Sequence, residues 1–221
     1  RIGVVGAGAG GVELLLAMQY ALRQMLVRLH RPAELVECHL FGAGETILPT
    51  HNRGMRRRLA RVLRDRDVQL HLGTVVTGVA SGRVHYADGT SVGLDEILCV
   101  TQAGAAEWPG RAGLAVDSQG FILVDDTLQS TSHPGVFAAG DVAAVVEHPR
   151  EKAGVFAVRQ GPPLANNLRR VLLGRSRRPF RPQRRFVTLV STGDRYAVGS
   201  RGWWSVEGAW VWRWKDWIDR R

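Results

Sequence analysis

The sequence predicts an α/β fold in which short buried strands alternate with amphipathic helices around a parallel sheet, and three observations predict it. Ile2 to Val5 is an apolar run that breaks into Gly6-Ala7-Gly8-Ala9-Gly10-Gly11 and then into a helical stretch from Val12 to about Leu29. A second apolar run, Leu35 to Phe41, follows that helix, so a right-handed crossover makes the two strands parallel. Asp88-Gly89 is a turn signal among three short strand patterns near Val75 to Val79, Arg83 to Tyr86 and Ser91 to Gly93. These form a meander inserted into an otherwise alternating unit.

The remaining elements follow from the same patterns. A basic amphipathic helix is expected from Asn52 to Arg66, a strand from Val68 to Leu72, and a returning buried strand from Glu96 to Val100. After a Gly- and Pro-containing connection, Gly120 to Val124 and Gly135 to Ala139 read as strands, the second breaking at Gly140-Asp141. One helix is expected over Lys152 to Arg159 and another from Pro162, because proline fits a first helical turn. Phe180 to Arg185 is a Pro- and Arg-rich link, and Phe186 to Val190 with Tyr196 to Val198 reads as a hairpin. The chain therefore divides at about residues 1–110, 111–178 and 179–221.

With 221 residues, 45% of them hydrophobic and 23% charged, the chain can bury a sizeable core and is too apolar for disorder. It carries no apolar run long enough to span a bilayer and no signal-peptide pattern, which points to the cytoplasm. The chain opens without Met directly in a strand and ends inside an amphipathic pattern, so further residues are expected beyond both ends. Cys38 and Cys99 lie far apart in apolar runs, without redox or metal-ligand spacing, and read as small core residues.

Gly6, Gly8 and Gly11 match G-x-G-x-x-G between a strand and a helix. The first glycine permits the sharp turn, the second lets backbone approach a pyrophosphate, and the third lets helix pack on strand. Free N–H groups at the helix start then favour phosphate. The reading is a Rossmann-like NAD(P)-binding domain, with Glu13 of the first helix added to the candidate contacts. The acid that grips the adenine ribose should end the second strand, but Phe41-Gly42 stands there and Glu45 is the nearest substitute. Glu45 reads equally as a solvated loop residue. No Arg or Lys lies between Phe41 and Thr50 to meet a 2′-phosphate, which leans the reading towards NAD.

With the glycine turn, the inserted meander and Gly135-Val136-Phe137-Ala138-Ala139-Gly140-Asp141 in order, residues 1 to about 175 resemble the pyridine nucleotide-disulfide oxidoreductase superfamily. The resemblance implies that Thr131 to Asp141 is the second fingerprint of a split FAD-binding domain, with Gly140 at the turn and Asp141 accepting from the flavin's ribityl chain. A helix cap would account for a Gly-Asp pair as well. The family's first FAD element would precede residue 1. The nearer resemblance is to type 2 NADH dehydrogenases and the flavoprotein module joined to selenophosphate synthetase. It rests on Glu151-Lys152-Ala153-Gly154-Val155-Phe156-Ala157-Val158-Arg159-Gln160-Gly161-Pro162-Pro163-Leu164-Ala165, on Ser191-Thr192-Gly193-Asp194-Arg195 and on the Trp-rich ending. In such enzymes the stretch like Gly154 to Gly161 lies beside the flavin, with Gln160 near its reactive end; Val155, Phe156 and Val158 also read as core. Gln102-Ala103-Gly104 stands loosely where the family has Ala-Thr-Gly, which makes Gly104 a candidate nicotinamide contact.

The resemblance implies an FAD-dependent NAD(P)H oxidoreductase that passes hydride from nicotinamide to flavin and electrons to a quinone or another small acceptor, with a fused selenophosphate synthetase domain as a possible neighbour. The rival is a non-catalytic NAD- or ADP-sensing module that docks on a protein. The net charge of +10 gathers in Arg53 to Arg66, Arg169 to Arg185 and the end beyond Arg201. Six tryptophans between Gly202 and Trp217 among basic residues suit a membrane surface or a protein interface. No nucleic-acid-binding motif accompanies them.

Overall fold

The computed structural model describes residues 1–101, 103–183 and 186–220. The expectations that touch Gln102, Arg184 and Arg185 lie outside the described residues. The chain forms two compact units, one of Arg1–Thr101 with Arg185–Arg221 and one of Gln102–Arg184.

In the first unit β1 (Ile2–Val5), α1 (Ala9–Arg28), β2 (Cys38–Gly42), α2 (Arg53–Asp65) and β3 (Gln69–Leu72) alternate as the periodicity requires. The meander β4 (Val76–Ala80), β5 (Arg83–Tyr86) and β6 (Ser91–Gly93) precedes β7 (Glu96–Cys99). The main sheet has the order β3-β2-β1-β7 with every pair parallel, and the meander is a separate antiparallel sheet. Strand alternation separates two cores. Val4 and Leu40 face Leu15 and Leu16 of α1 and Met55, Leu59 and Leu63 of α2, while Val5 and Phe41 face Val84, Tyr86 and Leu94 of the meander segment. Under the meander, His39 Nδ1 lies 3.1 Å from His71 Nε2, and His71 stacks on Phe41 at 4.5 Å. Burial pulls both imidazoles below their usual pKa, and His71 adds to the effect on His39.

The second unit contains α3 (Trp108–Arg111), β8 (Ile122–Val124), β9 (Ala143–Val145) and α4 (Gly154–Leu172), with β8 and β9 parallel. Two expectations are corrected here. Gly135 to Ala139 is not a regular strand: Leu128 has φ 66 and Gly135 has φ 88, so pairing is reduced to an isolated Gln129–Phe137 bridge, and the strand forms later as β9. The helices expected on either side of Pro162 are a single helix, α4, with Pro162 and Pro163 inside it. Those prolines leave the carbonyls of Val158 and Arg159 without their helical donors. Both of these residues are exposed, which keeps the cost of the missing donors low.

Asn167, fully buried on α4, ties this unit together. Its Nδ2 donates to the carbonyls of Thr127 and Arg178 at 2.9 and 2.8 Å, and its Oδ1 accepts from the Arg178 N–H at 2.8 Å.

The terminal segment forms β10 (Thr188–Ser191), β11 (Ala197–Arg201) and β12 (Trp204–Gly208), an antiparallel sheet, followed by α5 (Ala209–Asp219). The expected hairpin is present as β10 and β11. This sheet belongs to the first unit, where Val190 and Val198 join the core of α1 and α2. Asn52 caps α2 by accepting from the Met55 N–H and also donates to the carbonyls of Gly202 and Trp204. Such a cap contributes about 1 kcal/mol. Arg58 and Arg61 both donate to Glu207, at 2.5 and 2.6 Å. Burial alone would raise the Glu207 carboxyl, but the two guanidiniums outweigh it and hold it below the usual carboxylate range.

Candidate functional site

The three glycines of the first turn have separate steric reasons. Gly6 has φ 125, and a Cβ there would stand 2.0 Å from the Val100 carbonyl oxygen. A Cβ on Gly11 would stand 1.8 Å from the Gly6 oxygen, so helix and turn touch through backbone alone. Gly8 is different, being exposed with no atom within 4 Å of the Cβ position. The space is closed behind the turn and open in front of it.

Helix α1 begins at Ala9 with Gly8 as its N-cap, no capping side chain and no acid in its first turn. The Val12 N–H reaches the Gly8 carbonyl at 3.1 Å, so the amides of Ala9, Gly10 and Gly11 precede the first helical hydrogen bond. Three donors and the positive end of a 20-residue helix thus meet at an open glycine, an arrangement that fits a diphosphate.

Glu13 takes another task. Its carboxylate lies 3.4 Å from Lys215 of α5, and burial pushes it above the usual carboxylate range in spite of that lysine. Glu45 is exposed in the loop after β2, with its Oε1 2.9 Å from where a Gly73 Cβ would be. Gly104 is exposed in the second unit, with open space where a Cβ would be.

The second unit holds a cavity of about 380 Å³ lined by Phe121, Gly140, Asp141, Lys152, Phe156 and Gln160, among others. Gly140 has φ 74 and starts a 3-10 turn over Gly140–Val142, which places Asp141 at the mouth. The turn's N-cap is Ala139, without a side-chain cap bond, so Asp141 does not act as a helix cap. Among the described residues its carboxylate accepts no hydrogen bond, which leaves both oxygens available to a ligand hydroxyl. Gln160 is buried, and its Oε1 accepts from the Gly140 N–H at 2.5 Å. It braces the turn that presents Asp141.

The description of a family model, pyridine nucleotide-disulphide oxidoreductase, matches residues 1–167. The chain belongs to that family. It is 25% identical over 150 residues to a type II NADH:quinone oxidoreductase of Haemophilus influenzae, covering 66% of this chain and 34% of that protein. It is 27% identical over 219 residues to an NADH dehydrogenase-like protein of Mycobacterium tuberculosis, covering 90% of this chain and 50% of that one. The chain thus spans a third to a half of the length of these curated relatives. Among solved structures, an engineered water-forming NADPH oxidase bound to NADPH superposes with a TM-score of 0.67 at 22% identity, covering 91% of this chain and 42% of that one. That likeness shows the fold.

In this member of the pyridine nucleotide-disulphide oxidoreductase family the residue that motif reading missed is Lys152. Its Nζ donates to the Ala143 carbonyl at 2.7 Å and sits 3.8 Å over the Phe121 ring. Burial draws its pKa down, against the opposing charges of Asp117 and Asp141. It stands at the start of the expected Lys152 to Arg159 helix and in the stretch compared with the flavoprotein module, but only the fold brings its ammonium to the cavity. Two core expectations are also corrected. Cys99 is exposed at the end of the sheet-edge strand β7, and Val158 is exposed on α4, although Cys38 and Phe156 are buried.

Proposed function

We propose that this chain supplies the nicotinamide-nucleotide-binding unit and the second half of the flavin-binding unit of an FAD-dependent NAD(P)H oxidoreductase. The observation that carries the reading is the glycine turn, closed by backbone at Gly6 and Gly11 and open at Gly8. The Ala9, Gly10 and Gly11 amides bind the diphosphate of the nicotinamide nucleotide and so set where its reactive end falls. In the second unit Asp141 accepts from a ribityl hydroxyl, Gln160 holds the Gly140 turn, and Lys152 places a positive charge in the same cavity. Bound there, a flavin supplies the two-electron acceptor for a hydride, and the protein supplies position and charge.

Quinone is the acceptor class favoured by the type II NADH:quinone oxidoreductase relative. A membrane-surface site of action is supported by the terminal segment. Trp203 is 89% exposed, and on α5 Trp210, Arg213 and Trp217 fall on one exposed face. Indole rings beside guanidinium groups suit the headgroup layer. Among the described residues no helix is long and apolar enough to cross a membrane.

The test is anaerobic titration of the purified full-length protein with NADH and NADPH while flavin absorbance is followed. Yellow protein that is bleached by one equivalent of nucleotide is expected. Colourless protein that binds a nicotinamide nucleotide without flavin would instead establish the sensing module.

A further inference from the structure

The loop leaving β2 remains beside the glycine turn. A Cβ on Gly42 would lie 2.7 Å from the Ala7 Cβ, and the Leu48 N–H donates to the Ala7 carbonyl at 2.8 Å. Between this loop and α2 opens a cavity of about 340 Å³. Its apolar side includes Ile47, Leu70 and Leu72, and its polar side carries Arg53, Arg56 and Arg57. In a dinucleotide-binding crossover the adenosine ribose lies beyond the carboxyl end of the second strand, where an acid takes a 2′-hydroxyl and arginine accommodates a 2′-phosphate.

Charge decides between those ligands. On α2, Arg58 and Arg61 share the single Glu207 carboxylate, whereas Arg53, Arg56 and Arg57 form no ion pair with any described residue. The Arg56 Nη1 makes one long hydrogen bond to the Thr46 hydroxyl at 3.3 Å, and its Nε is buried without a partner among the described residues. A buried guanidinium N–H without an acceptor is a donor held for a ligand or a continuing cost to the fold. Glu45 is the acid of the cavity, but it sits over Gly73 and lies within ion-pair distance of none of the three. Three cations against one carboxylate leave two net positive charges, which match a phosphate monoester dianion. The apolar side gives a purine a surface to lie on.

We propose that this cavity receives a 2′-phosphorylated adenosine, so that the chain prefers NADPH to NADH, with Arg53, Arg56 and Arg57 as its specificity-determining residues. The inference rests on the nucleotide-binding reading of the glycine turn and names the substrate class of that site. The lean towards NAD drawn from residues 41–50 overlooked α2, which supplies the arginines from farther along the chain.

The experiment is a calorimetric titration of the purified protein with ADP, 2′,5′-ADP and inorganic phosphate, repeated on Arg53→Gln, Arg57→Gln and Glu45→Gln. The 2′,5′-ADP is expected to bind at least tenfold more tightly than ADP. Each arginine substitution should reduce that ratio by about tenfold, the loss of one charge-assisted contact, while Glu45→Gln should enlarge it and Arg57→Lys should restore part of it. Arg53 and Arg57 are exposed, so circular dichroism is expected to show the variants folded. Equal affinity for ADP and 2′,5′-ADP would overturn the preference and leave the nucleotide site standing. Inorganic phosphate competing as strongly as 2′,5′-ADP would reduce the cavity to a bare anion site and also overturn it. Binding of neither nucleotide would overturn the glycine-turn reading itself.

Discussion

Gly11 and Gly8 lie three residues apart in one turn, yet the structure gives their substitutions opposite consequences. A Cβ on Gly11 meets the Gly6 oxygen at 1.8 Å, the Gly6 carbonyl carbon at 3.0 Å and Val4 Cγ1 at 3.4 Å. Alanine improves helix propensity by about 1 kcal/mol. Backbone cannot rotate away as a side chain can, so overpacking costs about 3 kcal/mol and the net loss is about 2 kcal/mol. For a chain of this size that lowers the melting temperature by about 4–8 °C. Gly8→Val meets no protein atom within 4 Å, and the Gly8 φ of −76 and ψ of −178 suit valine. Its isopropyl group occupies the space assigned to the diphosphate, so stability should hold while NAD(P)H affinity falls by a factor on the order of ten or more. Tryptophan fluorescence during thermal unfolding reports on the first unit, because six of the seven tryptophans lie between residues 203 and 217. A Gly11→Ala protein as stable as the parent, or a Gly8→Val protein that binds nucleotide undiminished, would refute the steric argument.

Three further outcomes follow from the same coordinates. Because burial depresses both His39 and His71, the unfolded chain binds more protons below its imidazole pKa of about 6.5, so first-unit stability is full above that pH and falls below it. Urea unfolding from pH 8 to pH 5 should show a slope approaching about 1.4 kcal/mol per pH unit for each proton, and a His39→Leu, His71→Leu double variant should flatten it. Asn167→Ala leaves the carbonyls of Thr127 and Arg178 unpaired and should cost the second unit about 2–3 kcal/mol, read by amide exchange in α4 and the 125–130 loop. Trp203→Ala should weaken co-sedimentation with phosphatidylserine vesicles and leave melting unchanged, since that residue is 89% exposed.

Legibility in the sequence followed the range of the forces involved. The β1–α1–β2 unit, the start of α2 and the Asp88-Gly89 meander are governed by near neighbours, so periodicity and turn chemistry placed them closely. Prolines mislead when their orphaned carbonyls face solvent, which is why Pro162 read as a helix start and not as the middle of α4. The run Gly135 to Ala139 has strand composition, but the positive φ values of Leu128 and Gly135 break its ladder, and the shorter Ala143–Val145 forms the strand. Pairings that close over long separations were invisible. Asn52 with Trp204 spans 152 positions and Arg61 with Glu207 spans 146, and such contacts engage Arg58 and Arg61 while Arg53, Arg56 and Arg57 stay without an ion pair among the described residues. The glycine turn, Asp141 and Gln160 were singled out by motif, whereas the place of Lys152 in the cavity and the partnership of Gln160 with Gly140 required the fold.

The most direct measurement is an NMR titration following the backbone amides of Ala9, Gly10 and Gly11 as NADPH is added. Hydrogen bonding to the diphosphate should shift those three resonances together, with one saturation curve, and Gly8→Val should abolish the shifts. If the nucleotide binds while the three amides stay where they were, the start of α1 does not hold it.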